Sequence, residues 1–153
     1  GEVSFSMKVI FVEPDRCLGC RNCERVCSFQ GSGGFKRKNA NIWVHIDLDK
    51  RSIHTMTCQQ CETAVCLEIC PVAAIRRDPE TRALVVDETA CLGCKMCVHA
   101  CPFGCIHFEE QRRIAAKCDL CSGDPKCVQN CMANALHYRD INELAAFKRK
   151  KMG

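Results

Sequence analysis

Four short runs of cysteine constrain this chain more than any other feature. Seventeen of its 153 residues are cysteine, and sixteen of these fall into runs of four. Closely spaced C-x2-C cysteines bring their sulfurs together around one point, which suits a metal better than paired disulfides. In chain order the runs are Cys17, Cys20, Cys23 and Cys27; Cys58, Cys61, Cys66 and Cys70; Cys91, Cys94, Cys97 and Cys101; and Cys118, Cys121, Cys127 and Cys131.

Such a high cysteine content would also be compatible with a disulfide scaffold. The odd number of cysteines, their tight spacing and the lack of an apolar signal segment at the start of the chain argue against it. A reducing compartment fits better, and we expect a cytoplasmic protein. Residues 1–6 precede Met7, which resembles a natural start, and we interpret them as an extension left from expression.

The metal is either zinc or the iron of iron–sulfur clusters. Zinc uses two separated C-x2-C pairs and has no use for a further cysteine in the same run. Bacterial ferredoxins use C-x2-C-x2-C-x3-C-P, in which three cysteines bind one four-iron cube and the fourth binds the other cube of the pair. The segment from Cys91 to Pro102 matches this pattern at every position. We therefore predict [4Fe–4S] clusters and keep a zinc-binding interaction protein as the alternative.

The runs are related to one another. Runs one and three have the same spacing, and Leu18-Gly19 in run one aligns with Leu92-Gly93 in run three. Runs two and four are relaxed variants with a longer gap before the third cysteine. Since the chain reads as a doubled two-cluster ferredoxin, we predict an α+β fold of two interleaved bacterial-ferredoxin-like modules, with short helices, small antiparallel hairpins and many loops.

Local patterns place the elements of this fold. The third and fourth cysteines of each run are expected on short helices, which Pro71 and Pro102 end in runs two and three. A polar turn at 78–81 predicts a hairpin between 74–77 and 83–86. The predicted units are an outer module of residues 7–30 with 106–140, an inserted loop and strand at 31–57, an inner module at 58–105, and a basic C-terminal helix or tail at 141–153.

Four such runs in this order resemble the four-cluster iron–sulfur subunits of molybdenum and tungsten oxidoreductases. That family includes electron-transfer subunits of formate dehydrogenase, dimethyl-sulfoxide reductase and hydrogenase complexes. The ferredoxin-like partner of carbon monoxide dehydrogenase and the small subunits of tungsten aldehyde oxidoreductases resemble it too, and we favour the last of these. The resemblance spans Met7 to about Tyr138. The chain departs from the family at Ser28 and Met132, where a proline would follow the last cysteine.

The resemblance also implies which cysteines share a cluster. Family members pair run one with run four and run two with run three, and each fourth cysteine crosses to the partner cluster. Carried over, set one is Cys17, Cys20, Cys23 and Cys131; set two is Cys118, Cys121, Cys127 and Cys27; set three is Cys58, Cys61, Cys66 and Cys101; and set four is Cys91, Cys94, Cys97 and Cys70.

The remaining cysteine, Cys105, lies outside the runs. It occupies the slot that Ala74 and Ala135 fill after runs two and four. A free cysteine packs like a small apolar residue, so we interpret Cys105 as part of the core. A spare ligand or a redox thiol is the alternative.

The formal net charge of +4 misleads about partners. Each oxidised cube with its four thiolates adds about −2, so four of them bring the total to roughly −4. Much of the lysine and arginine is then counter-charge for buried anions, and we expect no nucleic-acid partner. No apolar run approaches the roughly 18 residues of a membrane-spanning helix, so we also expect no membrane span.

Complete ligation decides the expected function. Each of four cubes has four cysteines, which leaves no iron open for a substrate, and no nucleotide loop or nucleophile constellation is present. We therefore expect a non-catalytic electron-transfer subunit. Its partners would be a catalytic oxidoreductase subunit, a ferredoxin or flavin-containing subunit, and further copies of itself in a larger complex. The alternative is a free-standing, diffusible polyferredoxin.

Overall fold

The computed structural model describes residues 7–152, so the extension predicted at residues 1–6 lies outside the described residues. Within this range eight strands pair into four two-stranded antiparallel sheets. Three are hairpins between consecutive strands, whereas the fourth joins the two ends of the repeat, with Lys8 opposite Asp140. The sheets are β1 (Lys8–Val12) with β8 (Leu136–Asp140), β2 (Ile42–Asp47) with β3 (Ser52–Thr57), β4 (Ile75–Arg77) with β5 (Leu84–Val86), and β6 (Ile106–Glu109) with β7 (Ile114–Lys117).

Short helices carry the third cysteine of every run, as predicted. The fourth cysteine was also expected on a helix, but this holds only for Cys27 in run one, because the other three helices end before Cys70, Cys101 and Cys131. Helix α1 packs against α4, and α2 packs against α3, so the helices pair in the same way as the runs. The five helices of the described chain are α1 (Asn22–Ser32), α2 (Val65–Ile69), α3 (Met96–Ala100), α4 (Lys126–Gln129) and α5 (Ile141–Met152).

The buried apolar residues divide into two cores. One contains Ile10, Leu120 and Leu136, and the cysteines that pack in or against it belong to runs one and four. The other contains Ile75 and Leu84, and its cysteines belong to runs two and three. The α+β fold of two interleaved modules is therefore confirmed, while the module boundaries stay predictions.

Proline decides where the cysteine helices end. Helices α2 and α3 stop at Cys70 and Cys101, directly before Pro71 and Pro102, because proline cannot continue a helix. Ser28 takes the place of the proline in run one, and α1 continues to Ser32. It ends at Gly33, whose N–H donates to the Phe29 carbonyl at 2.8 Å in a left-handed cap.

The insertion at 31–57 contains more structure than the predicted loop and single strand. The predicted strand, expected at 41–47, is present as β2 (Ile42–Asp47), but Ser52–Thr57 forms a second strand, β3, and Arg37–Asn39 forms a 3-10 turn. The sequence did not predict strand β3, because several of its residues are polar and it pairs with β2 only through the turn at 48–51. In that turn the Lys50 N–H donates to Asp47 Oδ1 at 3.1 Å.

A buried carboxylate fastens this insertion to α1. Glu24 is 1% exposed, and its Oε1 accepts from the Val44 N–H at 2.5 Å. The other oxygen, Oε2, accepts from Arg37 Nε at 2.5 Å, and Arg21 donates a longer bond to Oε1 at 3.3 Å. The carboxylate therefore joins three parts of the chain at a site closed to solvent.

We expect Glu24→Ala to destabilise the cluster-loaded protein by about 2–3 kcal/mol, because it leaves the buried Val44 N–H without an acceptor. Glu24→Gln keeps an acceptor oxygen and should lose about half as much. Anaerobic denaturant unfolding would measure both, with the exposed Glu110→Ala as the matched control. Equal unfolding midpoints for Glu24→Ala and Glu110→Ala would contradict the anchoring role.

The predicted C-terminal helix is present as α5. Its Phe147 ring lies edge-on to Phe11 at 5.1 Å, so α5 packs on the sheet that joins the chain ends. The cations Lys148 and Arg149 are exposed on this helix. Among residues 7–152, no helix combines the length and apolar character needed to cross a membrane.

Candidate metal centres

All four runs share one backbone feature. The residue two places after the first cysteine is left-handed, with φ of +69° at Gly19 and Gly93, +49° at Gln60 and +60° at Leu120. In runs two and four this residue donates its N–H back to the first sulfur at 3.4 Å. Residues other than glycine lose roughly 1–2 kcal/mol in this conformation. Its presence in all four runs indicates that the site requires it.

A second left-handed residue follows the last cysteine of three runs. Ala73, Gly104 and Asn134 each lie three places after that cysteine, with φ of +51°, +64° and +51°. The turn lets the next N–H reach back to the cysteine in runs two and four, where the N–H to sulfur distances are 3.3 Å and 3.4 Å. These bonds can support a thiolate from outside its metal, as second-shell donors do.

Run one lacks this turn and receives its donor from the insertion instead. Because α1 continues past Cys27, no N–H of the following residues folds back onto its sulfur. The N–H of Asn41 donates to Cys27 Sγ at 3.2 Å. The insertion is thus part of the candidate metal centre. Ser28 allows α1 to continue where a proline would end it, and Asn41 supplies the N–H donor that the missing turn would have given.

The cysteines of set four line a single cavity. It measures about 360 Å³, including the space at its mouth, and brings one cysteine of run two together with three of run three. Its walls are apolar, with Ile75, Val86 and Ala115 among them. The cysteines that line it are Cys70, Cys91, Cys94 and Cys97.

The cysteines of set one line a matching cavity at the other module. It measures about 380 Å³ on the same basis, and Val12, Val44 and Leu136 contribute to its walls. Runs one and four meet here, as runs two and three meet in the first cavity. The cysteines that line it are Cys17, Cys20, Cys23 and Cys131.

Sets two and three line neither of these cavities, and Cys27, Cys118 and Cys121 of set two line a further pocket. In set two, the thiolates of Cys118, Cys27 and Cys121 surround Cys127 closely enough that their repulsion adds to the effect of burial and raises its pKa. In set three, the thiolates of Cys58 and Cys101 act in the same way on Cys66. Cys61 packs in the core of runs two and three beside them.

Burial makes several of these thiols poor thiolates on their own. It raises the pKa of Cys23 to about 12 and that of Cys97 to about 11, against opposing backbone hydrogen bonds. Cys70 differs, because N–H groups of the turn at 72–75 outweigh its desolvation and lower its pKa. Buried thiolates in such number require a positive core to bind, and a metal cluster supplies one.

The residues fit a [4Fe–4S] cube. Each of the two cavities offers four thiols and apolar walls, and several sulfurs accept backbone N–H bonds. In the described part of the chain, no three His, Cys, Asp or Glu side chains gather tightly enough to hold one metal ion. Cysteines around a cube stand farther apart than those around one zinc ion, since each binds a different iron.

Comparison with known proteins agrees with this chemistry. Residues 49–141 match the family model described as a 4Fe-4S dicluster domain, and residues 9–31 match one described as a 4Fe-4S binding domain. The first match alone covers more than half of the chain. The chain belongs to the 4Fe-4S dicluster family.

Several proteins that are similar to this chain have a named role. An iron-sulfur protein of Rhodospirillum rubrum is 36% identical over 131 residues, which cover 74% of this chain and 67% of that protein. The thiosulfate reductase electron transfer subunit PhsB of Salmonella typhi is 33% identical over 120 residues, covering 74% of this chain and 62% of that subunit. The fold is similar to a chain of the active site complex BamBC of benzoyl coenzyme A reductase, with a TM-score of 0.51 and 22% identity over 88% of this chain and 76% of that one.

Membership in the dicluster family confirms the predicted cofactor. The two matches cover all four cysteine runs, and both families are described by their 4Fe-4S clusters. The number of clusters and the assignment of each cysteine to one of them remain proposals, which the cavities support.

Cys105 is buried at 4% exposure, as a core residue would be. Its Sγ lies 3.6 Å from the Phe103 carbonyl, and burial raises the pKa of its thiol to about 12, with further repulsion from Cys58 and Cys101. It therefore stands beside set three but stays protonated. This fits the interpretation as a small apolar substitute.

The sequence did not reveal three polar residues of the centres, namely Asn41, Gln60 and Lys117. Gln60 could have been found, because it aligns with Gly19 and Gly93 at the position where every run is left-handed. Its side chain is 1% exposed and bridges Cys118 and Leu84. Asn41 and Lys117 carry no such sequence signal, since their contacts come from distant parts of the chain.

Proposed function

We propose that this chain is an electron-transfer subunit with four [4Fe–4S] clusters, which connects a catalytic redox subunit to a second electron carrier. The observation that carries the proposal is the pair of apolar cavities, each lined by four cysteines from two different runs. Bound [4Fe–4S] clusters exchange single electrons. The chain's own residues hold the clusters, shield them from water and donate N–H bonds to their thiolates.

The proposed ligands follow the crossed sets. Sets one and four are supported by the two cavities, and set two by the pocket that Cys27, Cys118 and Cys121 line. Set three is supported by the packing of Cys61, Cys66 and Cys101 against one core. The ligands are Cys17, Cys20, Cys23 and Cys131; Cys118, Cys121, Cys127 and Cys27; Cys58, Cys61, Cys66 and Cys101; and Cys91, Cys94, Cys97 and Cys70.

Full ligation supports a role without catalysis. Four cysteines for each four-iron cube leave no iron for a substrate, so the remaining chemistry is one-electron transfer. Such a chain acts as a non-catalytic subunit, whose substrate chemistry belongs to a partner. The thiosulfate reductase electron transfer subunit among its relatives supports a reductase complex as the setting.

In the proposed function, sets one and four form the two ends of a series of clusters, and both ends are proposed docking points. Cys20 of set one and Cys94 of set four are exposed, unlike the buried Cys58 and Cys127 of the middle sets. Leu18 and Leu92, which are 75% and 70% exposed, stand beside these ends. Exposed apolar residues next to a surface cluster are suited to a partner that must approach closely for electron transfer.

The catalytic partner that we favour is a tungsten or molybdenum aldehyde oxidoreductase. The next choice is a carbon monoxide dehydrogenase, a formate dehydrogenase or a hydrogenase, because the cysteine runs also resemble the iron–sulfur subunits of these enzymes. The second carrier would be a ferredoxin or a flavin-containing subunit, and further copies of the chain would share a larger complex. Reduced thiols in such number suit the cytoplasm.

The alternative is a free-standing polyferredoxin. Such a protein would diffuse between partners and need no docking extension. The anchored insertion and the basic α5 favour a subunit, because both extend the chain beyond the two ferredoxin-like modules.

Anaerobic purification from the native host tests the proposal. We expect about sixteen irons per chain and co-elution with a larger subunit that contains molybdenum or tungsten. About four zinc ions and no iron would refute the cluster assignment. A chain that elutes alone at physiological salt with all of its iron would favour the polyferredoxin instead.

A further inference from the structure

A buried lysine lies where the two modules meet. Lys117 is the last residue of β7, directly before Cys118, and it is only 6% exposed. Lysine is almost never buried to this extent unless its charge is compensated. The groups around the Lys117 ammonium must therefore compensate its charge.

Two carbonyl oxygens accept hydrogen bonds from this ammonium. Lys117 Nζ lies 2.6 Å from the Leu84 oxygen and 3.0 Å from the Cys118 oxygen. Gln60 bonds the same two residues, since its Nε2 donates to the Cys118 oxygen at 2.9 Å and its Oε1 accepts from the Leu84 N–H at 2.8 Å. Lys117 and Gln60 thus hold strand β5 and the start of run four together.

Lys117 also lies between the cysteines of two sets. Its Nζ donates to the Leu84 carbonyl oxygen, and Leu84 belongs to the core against which Cys61, Cys66 and Cys101 of set three pack. On the other side, Lys117 precedes Cys118 of set two, and Gln60 of run two donates to the Cys118 carbonyl oxygen. Sets two and three therefore face each other with Lys117 at their junction.

Two like-charged groups meet at this junction. A loaded set carries about −2 when oxidised, and each added electron makes it more negative. An electron that passes between the modules enters this concentration of negative charge at low dielectric, where a nearby cation has a large effect.

We propose that Lys117 is a positioning residue for electron transfer, whose buried ammonium stabilises the reduced forms of the clusters in sets two and three and so keeps the passage between the modules accessible. The inference rests on the proposed function. The step moves one electron from one cluster to its neighbour, with no bond made or broken and no proton transferred.

Substitutions at one position separate charge from shape. Lys117→Gln removes the charge but keeps N–H donors for the carbonyl oxygens, Lys117→Met removes both, and Lys117→Arg keeps the charge. Lys50→Gln is the matched control, because Lys50 is exposed in the turn between β2 and β3 and pairs with Asp47 near solvent. Iron content and circular dichroism of the anaerobic protein would establish the loading and folding of each variant.

Potentiometric titration followed by electron paramagnetic resonance measures the effect. In Lys117→Gln we expect two of the four clusters to shift to lower potential, with the reduced-to-oxidised ratio at a fixed potential falling roughly tenfold. Lys117→Arg and Lys50→Gln should keep the wild-type values. Neutral variants that retain all of their iron and all four potentials would overturn the inference and leave the proposed function intact.

A loss of iron is also decisive. If Lys117→Gln and Lys117→Met lose clusters whereas Lys117→Arg keeps them, the centres require the positive charge, which supports the inference. If Lys117→Arg loses them equally, shape and not charge is what matters, and the inference fails. A wild-type chain without [4Fe–4S] clusters would refute the proposed function itself.

Discussion

Cys70→Ala is expected to empty set four and to leave set three loaded. In the sequence Cys70 follows Cys58, Cys61 and Cys66, so ligation in chain order would empty set three instead. In the structure Cys70 lines the cavity of run three, and the N–H of Ala74 supports its sulfur at 3.3 Å. A cube that loses one of its four thiolates loses iron, so the content should fall from about sixteen irons per chain toward about twelve.

Thiol labelling shows which set has been emptied. After anaerobic loading, free thiols would be alkylated and mapped by mass spectrometry. Cys70→Ala should make Cys91, Cys94 and Cys97 reactive. The reciprocal variant, Cys101→Ala, should make the first three cysteines of run two reactive, and Cys105→Ala should keep all of its iron. Labelling of Cys58, Cys61 and Cys66 in the Cys70 variant would contradict the crossed sets.

Gly93→Ala is expected to destabilise the loaded protein by about 3 kcal/mol. Gly93 has φ of +69°, which an alanine adopts only with strain. A Cβ atom there would also overlap the backbone carbonyl oxygen of Arg113, in the turn between β6 and β7. Because that oxygen belongs to the main chain, the neighbouring sheet would have to move, and the sulfurs of run three would move with it.

Gly104→Ala separates the two contributions to this loss. Gly104 has a similar φ of +64°, but a Cβ atom there meets nothing within 4 Å. It should therefore lose only about 1 kcal/mol, from backbone strain alone. Anaerobic denaturant unfolding, followed by visible absorbance and circular dichroism, would compare the two. If both variants unfold at the same denaturant concentration, overlap with Arg113 does not constrain the centre.

Much of the fold followed from local signals in the sequence. Helices ended at Pro71 and Pro102, and a polar turn at 78–81 joined β4 to β5, because proline and turn residues act on their own segment of backbone. Strand β3 and the length of α1 were missed. The first depends on a partner strand, and the second on the replacement of a proline by Ser28.

The sites divide in the same way. The sixteen candidate ligands could be named from spacing alone, and the glycines at positions 19 and 93 marked the left-handed turn in two runs. Gln60 and Leu120 adopt the same turn without glycine, so composition did not indicate it there. Local conformation was predictable where the residue type prefers it, and unpredictable where the surrounding fold imposes it.

The cysteine spacing by itself predicted [4Fe–4S] clusters, because the first three sulfurs of a run lie close together in sequence whatever the rest of the chain does. Tertiary structure alone brought Cys70 beside run three and Cys131 beside run one, since those meetings need the helix pairs and the sheet between the chain ends. It also put the Asn41 N–H on Cys27 and buried Lys117 between the modules. Single polar contacts between distant segments leave no periodic pattern in a sequence, so only the folded chain decides them.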